Sequence, residues 1–314
     1  MNHYTLRRLF QLAPVLFIVS VAVFTIIHLI PGDPAQILAG PNATDEQLSA
    51  LRTRFGLDRP LWAQYVVWLR SVLTGDLGQS FINNYPVVDF IARHVPATVE
   101  LAIAAAIVGT LIAFPLGIVA AIRRGGVIDL ACTLLSALSF AIPGFWLAIL
   151  LILAFSVWLG VFPPSGRPSF SEQPFEHLMA LALPAFTLGM GVAARLMRYL
   201  RSSMLDTLEQ DFTRTARSKG LREIMVYLRH VLPNALIPVV TITGLQLGDL
   251  LSGAIIVESI FAWPGVGRLT VQAIGWRDYA LLQANVLFIV LAFMVVNLAT
   301  DLVYGVIDPR IRYG

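Results

Sequence analysis

An acidic side chain inside an apolar stretch is the first feature of this sequence that could do chemistry. Asp249 interrupts an otherwise uncharged run from 236 to 257, and Gly248 and Ser252 lie close to it. If the run crosses a membrane, a charge there costs about 2.5–3.5 kcal/mol on insertion scales, which makes it a candidate for function. We predict that these three residues and Glu258 line a pathway for a solute. A bond from Asp249 to a neighbouring helix or partner chain is the alternative, and the place of Glu258 near the end of the run favours a structural role.

The residue patterns of common enzyme and metal sites are missing from the sequence. It contains no GxxxxGK[ST] loop for nucleotide phosphates, no HExxH zinc helix and no HxxxH pair. Cys132 is the only cysteine, which excludes a disulfide within the chain and a site of several cysteines. We therefore predict no catalytic residues, no metal site and no cofactor bound by this chain. An intramembrane hydrolase would need paired buried aspartates or a serine with a base, and we find no such arrangement.

The composition is that of a membrane protein. Of the 314 residues, 57% are hydrophobic and 13% are charged, whereas soluble domains have about 25% charged residues. The mean hydropathy is +0.76, and the apolar residues form long blocks, so a water-soluble enzyme fits poorly. The net charge of +3 is too small to indicate nucleic-acid binding.

Six apolar blocks are long enough to cross a bilayer, since a helix needs about 20 residues to span roughly 30 Å. They are 9–30, 100–122, 128–162, 178–195, 236–258 and 280–304. The third block could hold two helices, but a single crossing keeps every basic cluster in the cytoplasm. We therefore predict one span that is bent, or extended into the membrane interface, near Pro143 and Gly144. The predicted fold class is an all-α integral membrane protein with six transmembrane helices and both termini in the cytoplasm.

The spans divide the chain into three regions. Residues 1–30 hold an N-terminal segment and the first helix, which we interpret as a retained span because no small-residue cleavage site follows it. Residues 31–98 form an exterior, periplasmic segment. Residues 99–314 form a core of five helices, in which the exterior loop 163–177 is a simple connection and the cytoplasmic loop 196–234 is rich in basic residues.

The cytoplasmic loop combines helical periodicity with small residues. Eight basic and four acidic side chains occur between 195 and 229. Apolar residues recur at helical spacing from Leu205 to Ala216, Gly220 interrupts the pattern, and Pro233 is predicted to end the next short helix. A basic loop alone indicates only topology, whereas the small residues around Ala216 would let another protein approach closely.

Short motifs follow one another along the whole chain. In the cytoplasmic loop, Ala216, Gly220 and Pro233 form a motif with fixed spacing. Arg214 and His230 occupy two further positions of this motif. The other motifs are Pro31-Gly32-Asp33-Pro34, Gly56-Leu57-Asp58, Gly75-Asp76-Leu77-Gly78 with Ser80, Trp263-Pro264-Gly265-Val266-Gly267-Arg268, Arg277-Asp278-Tyr279 and Asp308-Pro309-Arg310-Ile311-Arg312. Together they resemble the permease subunit of ATP-binding-cassette (ABC) importers, in the branch for dipeptides, oligopeptides, glutathione and nickel. Arg214 and His230 replace a glutamate and an isoleucine of that family's loop motif.

The resemblance implies the type I importer architecture and a division of labour among chains. Such a permease pairs with a second, similar permease in the lipid bilayer. Two ATPase subunits bind both permeases from the cytoplasm, and an exterior solute-binding protein delivers the cargo. ATP and Mg²⁺ would be used by the ATPase subunits. The segment 205–221 would be the coupling helix, with Ala216 and Arg217 at the ATPase contact and Gly220 at a turn. The implied coupling residues are Thr215, Ala216, Arg217, Lys219, Gly220 and Pro233.

The sequence does not identify the transported solute. An acid in the pathway suits a positively charged solute, such as the amino terminus of a short peptide or a chelated metal, which favours peptides or nickel complexes over sugars. Glutathione belongs to the same branch, and the expected location is the bacterial inner membrane. An ion-coupled secondary transporter is a further alternative, but internal repeats and broken midplane helices are common in that class, and one dominant basic loop fits it poorly.

Overall fold

The computed structural model describes residues 13–25, 34–39 and 43–307. Over these residues the backbone is almost entirely helix and connecting turns, with one isolated bridge between Gln79 and Pro86 in place of any sheet. The all-α prediction is therefore confirmed. The motif residues 31–33 and 308–312 lie outside the described residues.

In the part of the chain that the structure describes, four helices precede the long helix that begins at Val87. They are α1 (Ala13–Thr25), α2 (Pro34–Ala39), α3 (Asp45–Phe55) and α4 (Leu61–Leu73). A capping box fixes the start of α3: the Thr44 hydroxyl accepts from the backbone N–H of Gln47, and the Gln47 side chain accepts from the backbone N–H of Thr44. Tyr65 and Trp68 of α4 pack their rings against Phe24 of α1, with centroids 5.4 and 5.8 Å apart.

The rest of the chain contains the long apolar helices and their connections. They are α5 (Val87–Ile122), α6 (Val127–Ala141), α7 (Gly144–Leu151), α8 (Pro174–Leu208), α9 (Asp211–Ser218), α10 (Glu223–Met225), α11 (Leu232–Ile260), α12 (Val266–Trp276) and α13 (Tyr279–Ile307). π-helical turns extend α7 through Ile152–Trp158 and join α10 to α11 through Val226–Val231.

Within the described residues, four helical stretches are apolar and long enough to cross a membrane. They are Val87–Ile122, Pro174–Leu208, Glu223–Leu250 and Tyr279–Leu302. The pair Val127–Ala141 and Gly144–Trp158 is a fifth candidate, bent by 103°. The break falls at Pro143, whose ring removes a backbone donor, so the predicted bend is confirmed. Because α1 is shorter and the chain ends are not described, the count of six spans and the location of both termini stay predictions.

One compact unit is formed by residues 1–96 and 265–292. Its buried polar centre is Asp278, which is fully buried and accepts hydrogen bonds from the Ser80 hydroxyl and from the backbone N–H groups of Phe81 and Leu281. Two motifs that carry the family resemblance, nearly 200 residues apart, therefore meet in this unit. The three-region division of the chain stays a prediction, and residues 265–292 pack here with the N-terminal part.

The second compact unit is formed by residues 97–264 and 293–314. Its main core is a cluster in which Leu196, Leu200 and Met204 of α8 pack with Val231 and Val239, around the start of α11. The unit also contains the long apolar part of α5 and the bent pair α6 and α7. The residues discussed below as a candidate site all belong to this unit.

Helices α5 and α8 approach closely at two glycines, and the Gly109→Ala substitution is expected to disturb this crossing. A Cβ atom at 109 would lie 2.7 Å from the Val192 side chain and 2.8 Å from the carbonyl oxygen of Gly189, so the backbone would have to shift. Overpacking of this kind costs about 1–3 kcal/mol. The unfolding midpoint of the purified protein measures the loss. Gly191→Ala on α8 is the control, because its Cβ would meet nothing within 4 Å; equal midpoints for the two variants would contradict the tight crossing.

Candidate functional site

A cavity of about 560 Å³ lies among helices α6, α7, α8 and α11. Most of the described residues that line it are apolar side chains or glycines. The charged ones among them are Arg195 of α8 and Asp249 of α11. The bend at Pro143 contributes to one wall, so the break in the third apolar block also helps to form the cavity.

Arg195 and Asp249 form an ion pair at the cavity wall. The Nη1 of Arg195 donates to Oδ2 of Asp249 at 2.7 Å, and its Nε donates to the carbonyl oxygen of Gly191 at 3.4 Å. The Arg195 side chain is 35% exposed and the Asp249 side chain is 52% exposed. Asp249 therefore bonds a neighbouring helix and lines a cavity at the same time. Its part in solute passage stays a prediction.

Arg195 was not among the predicted site residues, because in the sequence it stands at the start of the basic loop. Helix α8 continues without a break to Leu208, which at 1.5 Å per residue puts Arg195 about 20 Å from the helix end. The side chain thus belongs to the long apolar helix. An arginine at the end of one apolar block and an acid within another were the available signal, but nothing local indicates that they meet.

The other predicted pathway residues have different surroundings. Gly248 packs against α13, since a Cβ atom there would come within 2.8 Å of the Phe293 ring. Glu258 is fully buried and accepts a hydrogen bond from Thr98 Oγ1 at 2.6 Å, in line with the structural role that its position favours. The side chain of Ser252 lies outside the described residues. Of the predicted set, Asp249 is the residue that the structure places at the cavity.

A polar cluster around Glu100 anchors the loop that was predicted to be a simple connection. Oε2 of Glu100 accepts from Nε and Nη2 of Arg167 at 2.9 and 2.6 Å, and Oε1 bonds the ring of the fully buried His177. The other ring nitrogen of His177 bonds the carbonyl oxygen of Pro168 at 2.8 Å. Loop 163–177 is therefore fixed to α5, a constraint that the loop's sequence did not reveal.

The basic segment (residues 209–231) differs from the single helix expected over 205–221. Helix α8 ends at Leu208 and α9 covers Asp211–Ser218, so a break separates them. The hydroxyl of the buried Thr213 donates to the carbonyl oxygen of Thr207 at 2.9 Å, and a continued helix would use that oxygen for the N–H of Asp211. The expected turn at Gly220 is present, with a φ of +74° that favours glycine.

Ala216 faces the interior of the chain. It is 5% exposed and belongs to the same core cluster as Leu200. Its small side chain lets α9 pack closely on the core of its own chain, and its contact with an ATPase subunit stays a prediction. Thr215, Lys219 and Gly220, the other residues implied for coupling around this turn, are exposed.

Arg217 turns back to bridge the glycine turn. Its Nε donates to Oε1 of Glu223 at 2.9 Å and its Nη2 donates to Oε2 at 3.2 Å. These hydrogen bonds raise the pKa of Arg217 above its ordinary value, so the guanidinium stays charged. The pair connects α9 to α10 across Gly220.

Pro233 does not end a helix, as the sequence analysis expected. It is the second residue of α11 and directly follows the π-helical turn Val226–Val231. Proline is tolerated in the first turn of a helix, where its missing N–H would have no helical partner. The chain therefore stays helical from Glu223 into the span, and the basic segment is continuous with α11.

Apolar side chains are exposed at the end of the basic segment. Ile224, Met225 and Leu228 are 57%, 44% and 52% exposed, and we call them the apolar face. Ile224 and Leu228 are four residues apart, a spacing that puts them on one side of a helix. They lie at the start of the candidate span Glu223–Leu250, so lipid or a partner protein would cover them. The sequence does not single them out, because residues 224–228 are all apolar or aromatic and no periodic signal marks the exposed side.

Comparison with protein families gives two matches that together span nearly the whole chain. Residues 113–313 match the binding-protein-dependent transport system inner membrane component, and residues 1–102 match the N-terminal part of the same membrane component. The chain belongs to this permease family. The resemblance seen in the short motifs is thereby confirmed.

Curated relatives match the permease along its full length. It is 42% identical over 313 residues to the glutathione transport system permease protein GsiC of Escherichia coli strain K12, with 100% of both chains covered. It is 43% identical over 313 residues to the same protein of Salmonella choleraesuis strain SC-B67, again with 100% of both chains covered.

Solved structures share the fold of the permease. An inward-facing structure of the MetNI methionine ABC transporter has a TM-score of 0.56 and 17% identity, and the match covers 70% of this chain and 96% of that chain. An amino acid ABC transporter has a TM-score of 0.53 and 16% identity, with 71% and 94% covered. At these identities the likeness shows the fold alone, which is that of the type I importer permeases.

The family, the relatives and the fold agree on one class of protein. The permease is a membrane subunit of an ABC importer and a multi-pass protein of the bacterial inner membrane. Its family associates with ATPase subunits and with a binding protein that delivers the solute.

Proposed function

We propose that the permease moves short peptides or peptide-like solutes such as glutathione into the cell, together with a second, homologous permease. The full-length identity of 42% to a glutathione permease carries this proposal. Two ATPase subunits bind and hydrolyse ATP with Mg²⁺, and the permease itself binds no cofactor and performs no catalysis. The absence of a phosphate-binding GxxxxGK[ST] loop from the sequence supports this division.

The coupling surface that we propose consists of the Gly220 turn and the apolar face. Thr215, Lys219 and Gly220 are exposed there, and the apolar face adds hydrophobic area that an ATPase subunit would cover. Buried Ala216 seats α9 on the core, and Arg217 holds α9 to α10. Pro233 lies where the basic segment passes into α11, so a push on the turn is transmitted to the span.

Coupling requires that the two conformations of the permease differ in their contacts with the ATPase subunits. The basic segment links the ATPase contact to the cavity, because it joins α8 to α11 and both helices line the cavity. Movement of the segment would shift Arg195 and Asp249 relative to each other. In this way the closure of the ATPase pair would open and close the solute pathway.

The test is ATP-dependent uptake by proteoliposomes that contain both permeases, the ATPase subunits and the exterior binding protein. We expect radiolabelled glutathione and short peptides to accumulate only when Mg²⁺ and ATP are present inside with the ATPase subunits. Omission of the second permease should abolish uptake. Proteoliposomes with the permease alone are the control and should neither accumulate solute nor hydrolyse ATP.

Three outcomes would contradict the proposal. Solute accumulation or ATP hydrolysis by the isolated permease would refute the division of labour. Full uptake without the second permease would refute the paired pathway. Uptake of a nickel chelate without uptake of any peptide would replace the peptide cargo with a metal complex.

A further inference from the structure

We propose that Arg195 and Asp249 together form a transient binding site for zwitterionic solutes, in which the guanidinium holds a carboxylate and the aspartate holds an ammonium group. This inference rests on the proposed function, because it assigns the cargo class of the same cavity. It differs from the sequence-based expectation of a positively charged cargo, since Asp249 does not face the cavity alone.

The ion pair leaves bonding capacity open on both partners. Of the donors of Arg195, Nη1 and Nε are used by Asp249 and Gly191. Within the described part of the chain, Nη2 of Arg195 and Oδ1 of Asp249 have no hydrogen-bond partner. A guanidinium can bind a carboxylate through two parallel N–H groups, and a carboxylate oxygen can accept from an ammonium group. One further ligand can thus add to the pair at both ends.

The charge balance of the cavity favours a zwitterion over an ion of either sign. The remaining described residues of its wall are uncharged, so the pair adds to zero net charge. A lone cation near Asp249 would be repelled by Arg195, 2.7 Å from the same carboxylate, and a lone anion near Arg195 would be repelled by Asp249. A solute with both charges meets an opposite charge at each end.

The size and exposure of the cavity fit a solute that must bind and then leave. Its volume of about 560 Å³ lies within the range of small-molecule sites, roughly 300–1,000 Å³. The side chains of Arg195 and Asp249 are 35% and 52% exposed, so a solute in the cavity can reach both of them. It can bind through the free N–H groups and the free carboxylate oxygen without breaking the ion pair.

The test measures peptide binding to the purified complex of both permeases and the ATPase subunits, without the exterior binding protein. The probes are triglycine, N-acetyl-triglycine and triglycinamide, which carry both charges, only the carboxylate and only the ammonium group. The shift of the unfolding midpoint with peptide concentration gives each affinity. We expect triglycine to bind about tenfold tighter than either blocked peptide, the factor that corresponds to one good ionic contact.

Each substitution in the ion pair should remove the preference for one charged end of the peptide and keep the preference for the other end. In Arg195→Gln, triglycine and triglycinamide should bind equally, while the preference over N-acetyl-triglycine remains. In Asp249→Asn, triglycine and N-acetyl-triglycine should bind equally, while the preference over triglycinamide remains. Arg195→Lys keeps the positive charge and should keep the preference for a free carboxylate, which tests the site even if Arg195→Gln fails to fold.

Arg198→Gln is the matched control, because Arg198 lies on the same helix, is exposed and stacks on the Phe140 ring outside this cavity. It should leave all three affinities unchanged. Equal binding of the three peptides by the unaltered complex would overturn the proposal, as would an equal loss for all three peptides in Arg195→Gln and Asp249→Asn. Peptide uptake by the unaltered proteoliposomes in that case would leave the proposed function intact, whereas no peptide uptake at all would refute the proposed function itself.

Discussion

The Ile224→Asp substitution is expected to weaken the contact with the ATPase subunits and to lower the ATP hydrolysis that the loaded binding protein stimulates. Ile224 is 57% exposed in the apolar face, which an ATPase subunit covers in the assembly that we propose. A carboxylate buried there without a partner would cost several kcal/mol. Because each 1.4 kcal/mol is a factor of ten, ATP hydrolysis stimulated by the loaded binding protein should fall at least about tenfold. The measurement is the stimulated rate of the reconstituted complex, with co-purification of the ATPase subunits as a second readout.

Ile224→Leu is the matched control for this prediction, because it keeps an apolar side chain of similar volume at the same place. It should retain the stimulated rate and the ATPase subunits. The exposed position of Ile224 implies that neither substitution changes the amount of permease in the membrane. An unaltered stimulated rate in Ile224→Asp would show that the apolar face is not the ATPase contact.

Prolines illustrate why the ends of helices are harder to predict than their existence. Hydropathy alone located every long apolar helix that the structure describes. Pro143 separates α6 from α7, whereas Pro184 and Pro238 lie inside α8 and α11. The missing N–H is the same in each case, but neighbouring helices and local adjustments can satisfy the freed carbonyl within a bundle. Only at Pro143 does a glycine follow directly, a pair that favours a turn.

The loop motif predicted where the turn lies but not which side of α9 faces the core. Its spacing located the turn at Gly220, where the positive φ requires a residue with little steric hindrance. It did not show that Ala216 faces inward, because the buried side of α9 depends on how the helix packs against α8 and the π-helical turn. A motif residue can therefore be required by the fold of its own chain where a partner contact was expected.

Ion pairs between helices that are far apart in the sequence were the hardest features to predict from the sequence. Arg195 and Asp249 are 54 residues apart, and Arg201 and Asp129 are 72 apart. No local pattern encodes which faces of two spans meet, so each charge was interpreted by itself. Asp129 was overlooked within the third apolar block, and Arg201 was counted only as a basic loop residue. The structure places both in helices, α6 and α8, where they bond each other.

The Arg201→Met substitution is expected to destabilise the permease by about 3 kcal/mol or more, because it would leave a buried carboxylate without its counter-charge. The Asp129 side chain is 8% exposed. It accepts from Nε of Arg201 through one oxygen, and from Nη2 at 2.8 Å and the N–H of Gly125 at 2.9 Å through the other. After the substitution only the Gly125 donor remains. The unfolding midpoint in detergent and the amount of permease in the membrane should both fall.

Two further variants separate loss of the ion pair from loss of arginine as such. Arg198→Met removes an exposed arginine of α8 that stacks on the Phe140 ring, so its midpoint should fall by less than that of Arg201→Met. The double variant of Asp129→Asn with Arg201→Met removes both charges, and the amide oxygen can still accept from Gly125. It should recover most of the lost stability, because the cost arises from the unpaired charge and not from the missing arginine stem. If the double variant is as unstable as Arg201→Met, packing of the arginine side chain and not its charge holds α6 to α8.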